Sequence, residues 1–254
     1  MLKRWESYVW PLVVALVCLS AWHYAVIWSA TRIFPSPLAV WRGGEELVQR
    51  GVLWKYIGDS LFRVGTGYSL AVMSGIPIGL ALGWYPQAAR AVNPLIQMLR
   101  PISPLAWIPL SIVFFGVGNT AAVFLIFLAS FFPIVVSAIN GVRGVPPMFR
   151  LAGVNFGLTP GSLLLRVIFP AALPQMIVGL RIALGIAWLV VVAAEMIAVD
   201  SGLGYLIIDA RNAGKRYDLV VAGMIMIGLI GLGLDIGMRR IERLKSVRWG
   251  FLND

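Results

Sequence analysis

Apolar stretches long enough to cross a membrane recur along this 254-residue chain, and they constrain its fold more than any other feature. A membrane-crossing helix needs about 20 apolar residues, because lipid cannot satisfy exposed backbone groups. Six stretches qualify, at about residues 8–28, 60–84, 105–117, 120–140, 175–199 and 219–238. The third is too short alone, so we expect it to begin near Gln97 and to kink at the prolines that follow. The sequence therefore predicts an all-α membrane protein with about six transmembrane helices, as one domain over residues 1–254.

The composition excludes a soluble protein. Apolar residues make up 59% of the chain and charged residues only 13%, whereas soluble domains are about one-quarter charged. The net charge of +10 would suggest nucleic acid as a partner of a soluble protein, but in a membrane protein basic cytoplasmic loops explain it better. A single cysteine, Cys18, and a single histidine, His23, cannot form an internal disulfide or a zinc cluster. We expect both to pack in or beside the first span.

Two segments near the first spans carry a periodic pattern. Residues 29–58 mix prolines and charges with apolar residues, which predicts an amphipathic helix at the membrane interface. In the second span, small residues recur every four positions and therefore share one helix face. Such a stripe lets two helix backbones approach closely, and we expect the contact to lie within one subunit, with a contact between subunits as the alternative. The stripe comprises Gly67, Ala71, Gly75, Gly79 and Gly83.

The distribution of charge predicts the orientation of the chain. Six spans place both termini, residues 86–104 and residues 143–173 on one side, which holds twelve basic and four acidic residues. The opposite side, where Arg63 is counted, holds eight basic and six acidic residues. Because cytoplasmic segments carry the excess of Lys and Arg, both termini are expected in the cytoplasm. The polar loop at residues 200–218 is then extracytoplasmic. We expect the basic tail after the last span to be a topology signal, with contact to anionic membrane lipid as the alternative.

No catalytic or nucleotide-binding motif is present. The run Gly214-Lys215-Arg216 lacks the glycine spacing and the hydroxyl residue of a phosphate-binding loop. We therefore expect a protein that is not an enzyme and carries no cofactor of its own. A transporter of this kind would take its energy from an ion gradient or from a partner ATPase.

Charged and aromatic residues inside the spans are candidates for a transport pathway. Glu195 is the only carboxylate well inside a predicted span, and Arg181 lies fourteen residues earlier, about 21 Å along the helix, too far for the two to pair. Intramembrane charges are functional candidates by default, but Glu195 could equally bond to another span, and Arg181 could reach the cytoplasmic surface or brace the preceding loop. Trp107 and Trp188 could line the pathway, although aromatic residues in membrane helices more often serve packing.

A polar interruption at residues 150–174 carries the most specific motif. Leu151, Ala152, Gly153, Gly157 and Pro170 reproduce the spacing of the coupling-loop signature of importer permeases in the ATP-binding-cassette (ABC) superfamily. The family pattern is Glu-Ala-Ala, a glycine four residues after the last alanine, and a distal Ile-x-Leu-Pro. The chain resembles this family over nearly its whole length, most closely the branch that imports sulfonates, taurine, nitrate or bicarbonate. Supporting segments are residues 34–37, 75–79, 100–110, 179–181, 194–195 and 201–205.

The resemblance implies a type I ABC importer permease fold in the bacterial inner membrane. It also implies a homodimer, two cytoplasmic ATPases that carry ATP and Mg²⁺, and a periplasmic or lipid-anchored binding protein that delivers a small anion. The coupling helix would lie in the cytoplasmic loop at about residues 143–173 and would dock into a groove of the ATPase. An ion-coupled secondary carrier and a membrane scaffold without transport are the alternatives.

The predicted coupling loop departs from the family pattern at one position. Leu151 replaces the acidic residue of the triplet, and we expect a restored glutamate to be tolerated there, whereas arginine at Gly157 should disrupt docking. Pro170 and Pro174 are expected to stop a second short helix before the fifth span.

Overall fold

The computed structural model describes residues 2–29 and 34–242, and the regular elements within those ranges are helical. Short caps set several helix starts: the Ser36 side chain accepts a hydrogen bond from the Ala39 N–H, with Pro37 in the first helical turn. The helices are α1 (Leu2–Ser29), α2 (Pro37–Gln49), α3 (Val52–Trp84), α4 (Pro86–Leu99), α5 (Ile108–Phe115), α6 (Asn119–Arg143), α7 (Pro147–Asn155), α8 (Pro160–Leu163), α9 (Phe169–Ala198), α10 (Leu203–Gly214) and α11 (Tyr217–Glu242).

Four helices of the described chain are long and apolar enough to cross a membrane. They are α3, α6, a continuous helical stretch over Pro160–Ala198, and α11. A fifth span is possible where α4 and the segment Pro104–Phe115 meet, but the two are bent by 82°. In the described part of α1, the apolar section is Val13–Trp28. The predicted first span thus corresponds to α1, and the basic tail after Glu242 lies outside the described residues.

The predicted boundaries of several spans are corrected by the structure. The second span begins at Val52 rather than near residue 60, so the amphipathic helix is confined to α2. The third does not run straight from Gln97, because α4 ends at Leu99 and a sharp bend follows before the 3₁₀ turn Pro104–Trp107. The polar segment after the fifth span is not a loop but contains α10. A helix satisfies its own backbone polar groups, which favours the additional helical residues of α3 and α10 in an apolar setting.

The prediction that Pro170 and Pro174 stop a short helix is wrong. A π-helical segment, Leu164–Ile168, joins α8 to α9, and the Phe169 N–H donates to the Leu164 carbonyl, five residues earlier. Pro170 follows this segment directly, and the wider π-helical turn accommodates a residue that has no N–H to donate, while Pro174 lies inside the helix. The helix that begins at α8 therefore continues into the fifth span without a break.

The core of the molecule is built from α3, α6 and α9, with α6 in the middle. The predicted stripe of small residues on α3 lies against α6 of the same chain, as expected. A side chain added at Gly67 would place its Cβ 2.8 Å from the Cβ of Ile126, and one at Gly79 would be 2.5 Å from the Cβ of Ala138. The absent side chains thus permit a close helix contact. The stripe is a packing surface inside the subunit.

Candidate functional site

The predicted coupling segment forms a helix, a turn and a second helix at one end of the bundle. Gly157 lies in the turn between α7 and α8 with a φ of +75°, a conformation that glycine adopts without strain. Gly153 is buried against Leu163, so α7 and α8 pack together where the side chain is smallest. Thr159 then caps α8 by accepting a hydrogen bond from the Ser162 N–H. The spacing of small residues that the sequence shows therefore builds a compact hairpin.

Apolar side chains cover the outer surface of this hairpin. Leu151 is 64% exposed and Phe156 is 86% exposed, and Ala152 and Gly157 are also exposed. Pro170 is partly buried at the start of α9. Three of the five predicted coupling residues are thus exposed on the hairpin, and Gly153 holds the hairpin together from within, while Pro170 lies outside it.

Glu195 lies in a buried polar network at the opposite end of α9. Its side chain is fully buried, and the Arg63 side chain is only 2% exposed. Arg63 Nη1 lies 2.6 Å from Glu195 Oε1. The other carboxylate oxygen of Glu195 accepts hydrogen bonds from the Ser60 hydroxyl, at 2.9 Å, and from the Gly204 N–H, at 3.0 Å. Glu195 therefore bonds to other helices, one of the two roles that the sequence left open.

The remaining donors of Arg63 extend the network to two further elements. Its Nε donates to Asn119 at the start of α6, at 2.7 Å. Nη1 and Nη2 donate to the carbonyl and the hydroxyl of Ser201, at 2.8 and 2.5 Å. The turn at Gly202 packs directly on the Glu195 carboxylate and leaves no room for a side chain. The network thus joins α3, α6, α9 and the start of α10.

Sequence reasoning missed the role of Arg63, which it placed on the outer side of the membrane. The sequence contained a signal for this role: Arg63 lies four residues before Gly67 and therefore on the same helix face as the packing stripe of α3. A buried arginine on that face requires a carboxylate partner, and Glu195 is the intramembrane carboxylate that the sequence offers. The separation of 132 residues concealed the pairing.

Arg181 pairs with α11, and its predicted reach toward the cytoplasmic surface stays a prediction. Its Nε lies 2.6 Å from Asp235, and its Nη1 lies 3.4 Å from Glu242. Asp235 also pairs with Arg239 on the same helix, at 2.9 Å. These contacts hold α9 and α11 together near the end of the bundle that carries the coupling segment.

The two candidate tryptophans occupy packed positions. Trp188 is 6% exposed, and its indole N–H donates to the Ile227 carbonyl of α11 at 3.0 Å. Trp107 ends the 3₁₀ turn before α5 and packs, partly buried, against the main core. The structure thus separates Trp107, Arg181, Trp188 and Glu195 among different contacts, and a shared role along a pathway stays a prediction.

A second ion cluster joins α2 to α11. Arg216 lies 2.7 Å from both Glu46 and Asp218, and Arg50 pairs with Glu46 from one turn further along α2. The hydrogen bond from Arg216 lowers the pKa of Glu46, and the carboxylates raise the pKa of Arg216. Cys18 and His23 are exposed on α1. In the part of the chain that the structure describes, no group of three or more potential metal ligands occurs.

A family model covers most of the chain that builds these sites. Residues 75–247 match the family described as binding-protein-dependent transport system inner membrane component. The chain belongs to that family. It is thus a multi-pass membrane permease of an ABC importer, as the motif in residues 150–174 indicates.

Curated relatives and solved structures agree with this assignment. The chain is 38% identical to the taurine transport system permease protein TauC of Escherichia coli over 79% of its own length and 72% of the relative. It is 35% identical to the bicarbonate transport system permease protein CmpB of Synechococcus elongatus, over 95% and 92%. A putative aliphatic sulfonates transport permease protein, SsuC of Escherichia coli, is 36% identical over 97% and 94%.

The solved structures establish the fold of the permease. An inward-facing structure of the MetNI methionine ABC transporter matches with a TM-score of 0.68 at 18% identity, over 77% of this chain and 96% of that chain. A bacterial alginate ABC transporter matches with a TM-score of 0.61 at 14% identity, over 94% and 96%. The permease therefore has the type I ABC importer fold that the sequence predicts.

Proposed function

We propose that the permease carries a small anion, a sulfonate such as taurine, nitrate or bicarbonate, as half of a homodimer. The substrate class is supported by the names of the relatives TauC, CmpB and SsuC. Two copies of a cytoplasmic ATPase supply the energy and hold the ATP and Mg²⁺, and an extracytoplasmic binding protein delivers the anion. A pathway between two copies is physically sensible, because one subunit offers few charged groups inside its spans.

The exposed surface of the α7–α8 hairpin is the observation that carries this proposal. Leu151 and Phe156 project apolar surface from a segment outside the long spans, and exposed apolar patches of this kind mark interaction sites. The hairpin continues into α9 through helical backbone, so a push on α7 would reach the core as a rigid-body movement. Closure of the ATPases would in this way alternate the access of the pathway.

The orientation that places this hairpin in the cytoplasm, together with both termini, follows from charge. With Arg63 buried against Glu195, the outer side is even less basic than the sequence count suggests, so the positive-inside bias is strengthened.

The ion-coupled carrier has less support. Such carriers use intramembrane carboxylates that bind and release ions, but Glu195 accepts bonds from Arg63, Ser60 and Gly204. A carboxylate held by three donors is poorly suited to exchange a proton or a metal ion.

Substitution of Gly157 tests the docking role. Gly157→Arg introduces a long charged side chain at a left-handed backbone position on the exposed turn, so we expect it to abolish copurification of the ATPase while membrane insertion stays normal. Gly157→Asn is the matched control, because asparagine tolerates this conformation, and it should retain the ATPase. A normal complex of the arginine variant would contradict the docking role.

A further inference from the structure

The exposed face of the hairpin is apolar and has no acidic residue near it. We define the coupling surface as the exposed apolar side chains of this hairpin and of the π-helical segment that follows it, which are Met148, Phe149, Leu151, Val154, Phe156 and Leu165. The coupling-loop pattern that this segment resembles has a glutamate at the position of Leu151, whereas here a large apolar side chain is 64% exposed. If the ATPase groove carried a basic residue that pairs with a carboxylate, that basic residue would have no partner opposite Leu151.

Three exposed arginines lie in or next to this segment of the chain, and no acidic residue balances them there. Arg143, Arg150 and Arg166 are exposed at the end of α6, in α7 and in the π-helical segment. The sequence contains no Asp or Glu between Asp59 and Glu195. Among the described residues, Arg143 and Arg166 form no ion pair, and the Arg150 guanidinium lies 4.9 Å from the ring centroid of Trp84. The segment therefore combines exposed apolar side chains with a net positive charge.

We propose that the ATPase groove that receives α7 has the complementary chemistry: an apolar floor opposite Leu151 and carboxylates at its rim opposite Arg166 and Arg150. This inference rests on the proposed function and specifies the partner of the same surface. Interfaces arrange potentials so that a positive patch meets a negative one, and this arrangement selects partners more than it adds affinity. The permease would accordingly bind poorly to an ATPase whose groove carries a basic residue that pairs with a glutamate at the position of Leu151.

This proposal replaces the sequence-based expectation that a glutamate at residue 151 would be tolerated. Inside an apolar groove, a carboxylate at that position loses its water without gaining a partner, and acidic groups at the rim repel it. A lysine carries the same desolvation cost but is attracted to the rim. The sign of the introduced charge therefore reports the chemistry of the groove.

The experiment measures binding of the purified ATPase to the full-length permease in lipid nanodiscs. The ATPase is the one that copurifies with the tagged permease from its native membrane. We expect Leu151→Met to bind within twofold of the wild type, Leu151→Glu to bind about 30-fold or more weakly, and Leu151→Lys to lie between them. Arg166→Glu should lose about tenfold and Arg166→Lys little, and added salt should reduce the difference between these two variants.

The possible outcomes separate this inference from the function on which it rests. If the wild-type permease binds no ATPase, the proposed function fails and this inference fails with it. If the wild type binds and Leu151→Glu binds as well or more tightly, only the inference is overturned. If the effect of Arg166→Glu occurs in anionic nanodiscs and disappears in neutral ones, the arginines bind lipid headgroups and the acidic rim is overturned. An equal effect in both lipids supports the rim.

Discussion

At the scale of single residues, the pairing of Arg63 with Glu195 is the most consequential contact. Both side chains are almost completely buried, and each polar atom of the pair has partners on other elements. Removal of water from two charges is costly, and their attraction offsets that cost only when geometry and further hydrogen bonds are favourable. In this protein the network includes Ser60, Asn119 and Ser201, so it fixes where four elements meet.

Neutralisation of one partner leaves the other charge uncompensated. We expect Glu195→Gln to lower the free energy of unfolding in detergent by about 3–5 kcal/mol, the usual cost of breaking a buried pair. Denaturant unfolding of the purified permease measures the loss. Glu45→Gln is the control, because Glu45 is exposed on α2 and its replacement should have little effect.

Replacement of both charged residues distinguishes an ion pair from two independent roles. The double variant Arg63→Met, Glu195→Met should lose less stability than the two single replacements together, since no lone charge stays buried. Strict additivity of the single effects would show that the two side chains do not act as a pair.

At the scale of helices, the contact between α3 and α6 depends on missing side chains. A Cβ at Gly79 would lie 2.5 Å from the Cβ of Ala138 and 2.8 Å from the Val135 carbonyl oxygen, closer than such atoms approach in proteins. The backbone of α6 and a neighbouring Cβ cannot move aside as a flexible side chain can. The helices would have to separate.

Gly79→Ala should therefore destabilise the permease by about 1–3 kcal/mol, the cost of overpacking a well-packed contact. Gly65→Ala on the same helix is the matched control, because an added Cβ at Gly65 has nothing within 4 Å and alanine favours the helix. Thermal unfolding of both variants measures the difference. Equal melting temperatures for the two would show that the stripe does not determine helix packing.

Sequence patterns predicted these elements well where the pattern is local. The four-residue repeat from Gly67 to Gly83 predicted both the helix and its packing face, and the small residues from Ala152 to Gly157 predicted the tight turn between α7 and α8, whose coupling role stays a prediction. Local signals misled where context decides. Prolines usually end helices, but the π-helical segment before Pro170 allows one helix to continue through it.

The candidate site was less predictable, because its contacts join distant parts of the chain. Arg181 meets Asp235 across 54 residues, and Arg63 meets Glu195 across 132. Charge composition shows that such partners exist, but only the arrangement of helices determines which ones meet. Likewise, α10 was missed because its polar residues resemble those of a loop, whereas its first turn is anchored by Glu195 and Ser60.

At the scale of the whole molecule, the two ends of α9 have different tasks. One end continues into the hairpin that carries the coupling surface. The other is bound to α3 and α10 through Glu195, and its partner Arg63 bonds in turn to α6. Between them, Arg181 and Trp188 fasten α9 to α11. If the hairpin moved, α9 would thus carry the movement to the far end of the subunit, because helical backbone connects the two ends.

The most direct test is anion uptake by proteoliposomes that contain the permease, its ATPase and the binding protein. The labelled substrates are taurine, a second aliphatic sulfonate, nitrate and bicarbonate, each tested separately. ATP is supplied on the side of the membrane that carries the ATPase, and ionophores are added to collapse ion gradients. We expect uptake of at least one of these anions to require ATP hydrolysis and to persist in the presence of ionophores. Uptake that an ion gradient drives without ATP would contradict the assignment of the permease to an ATP-driven importer.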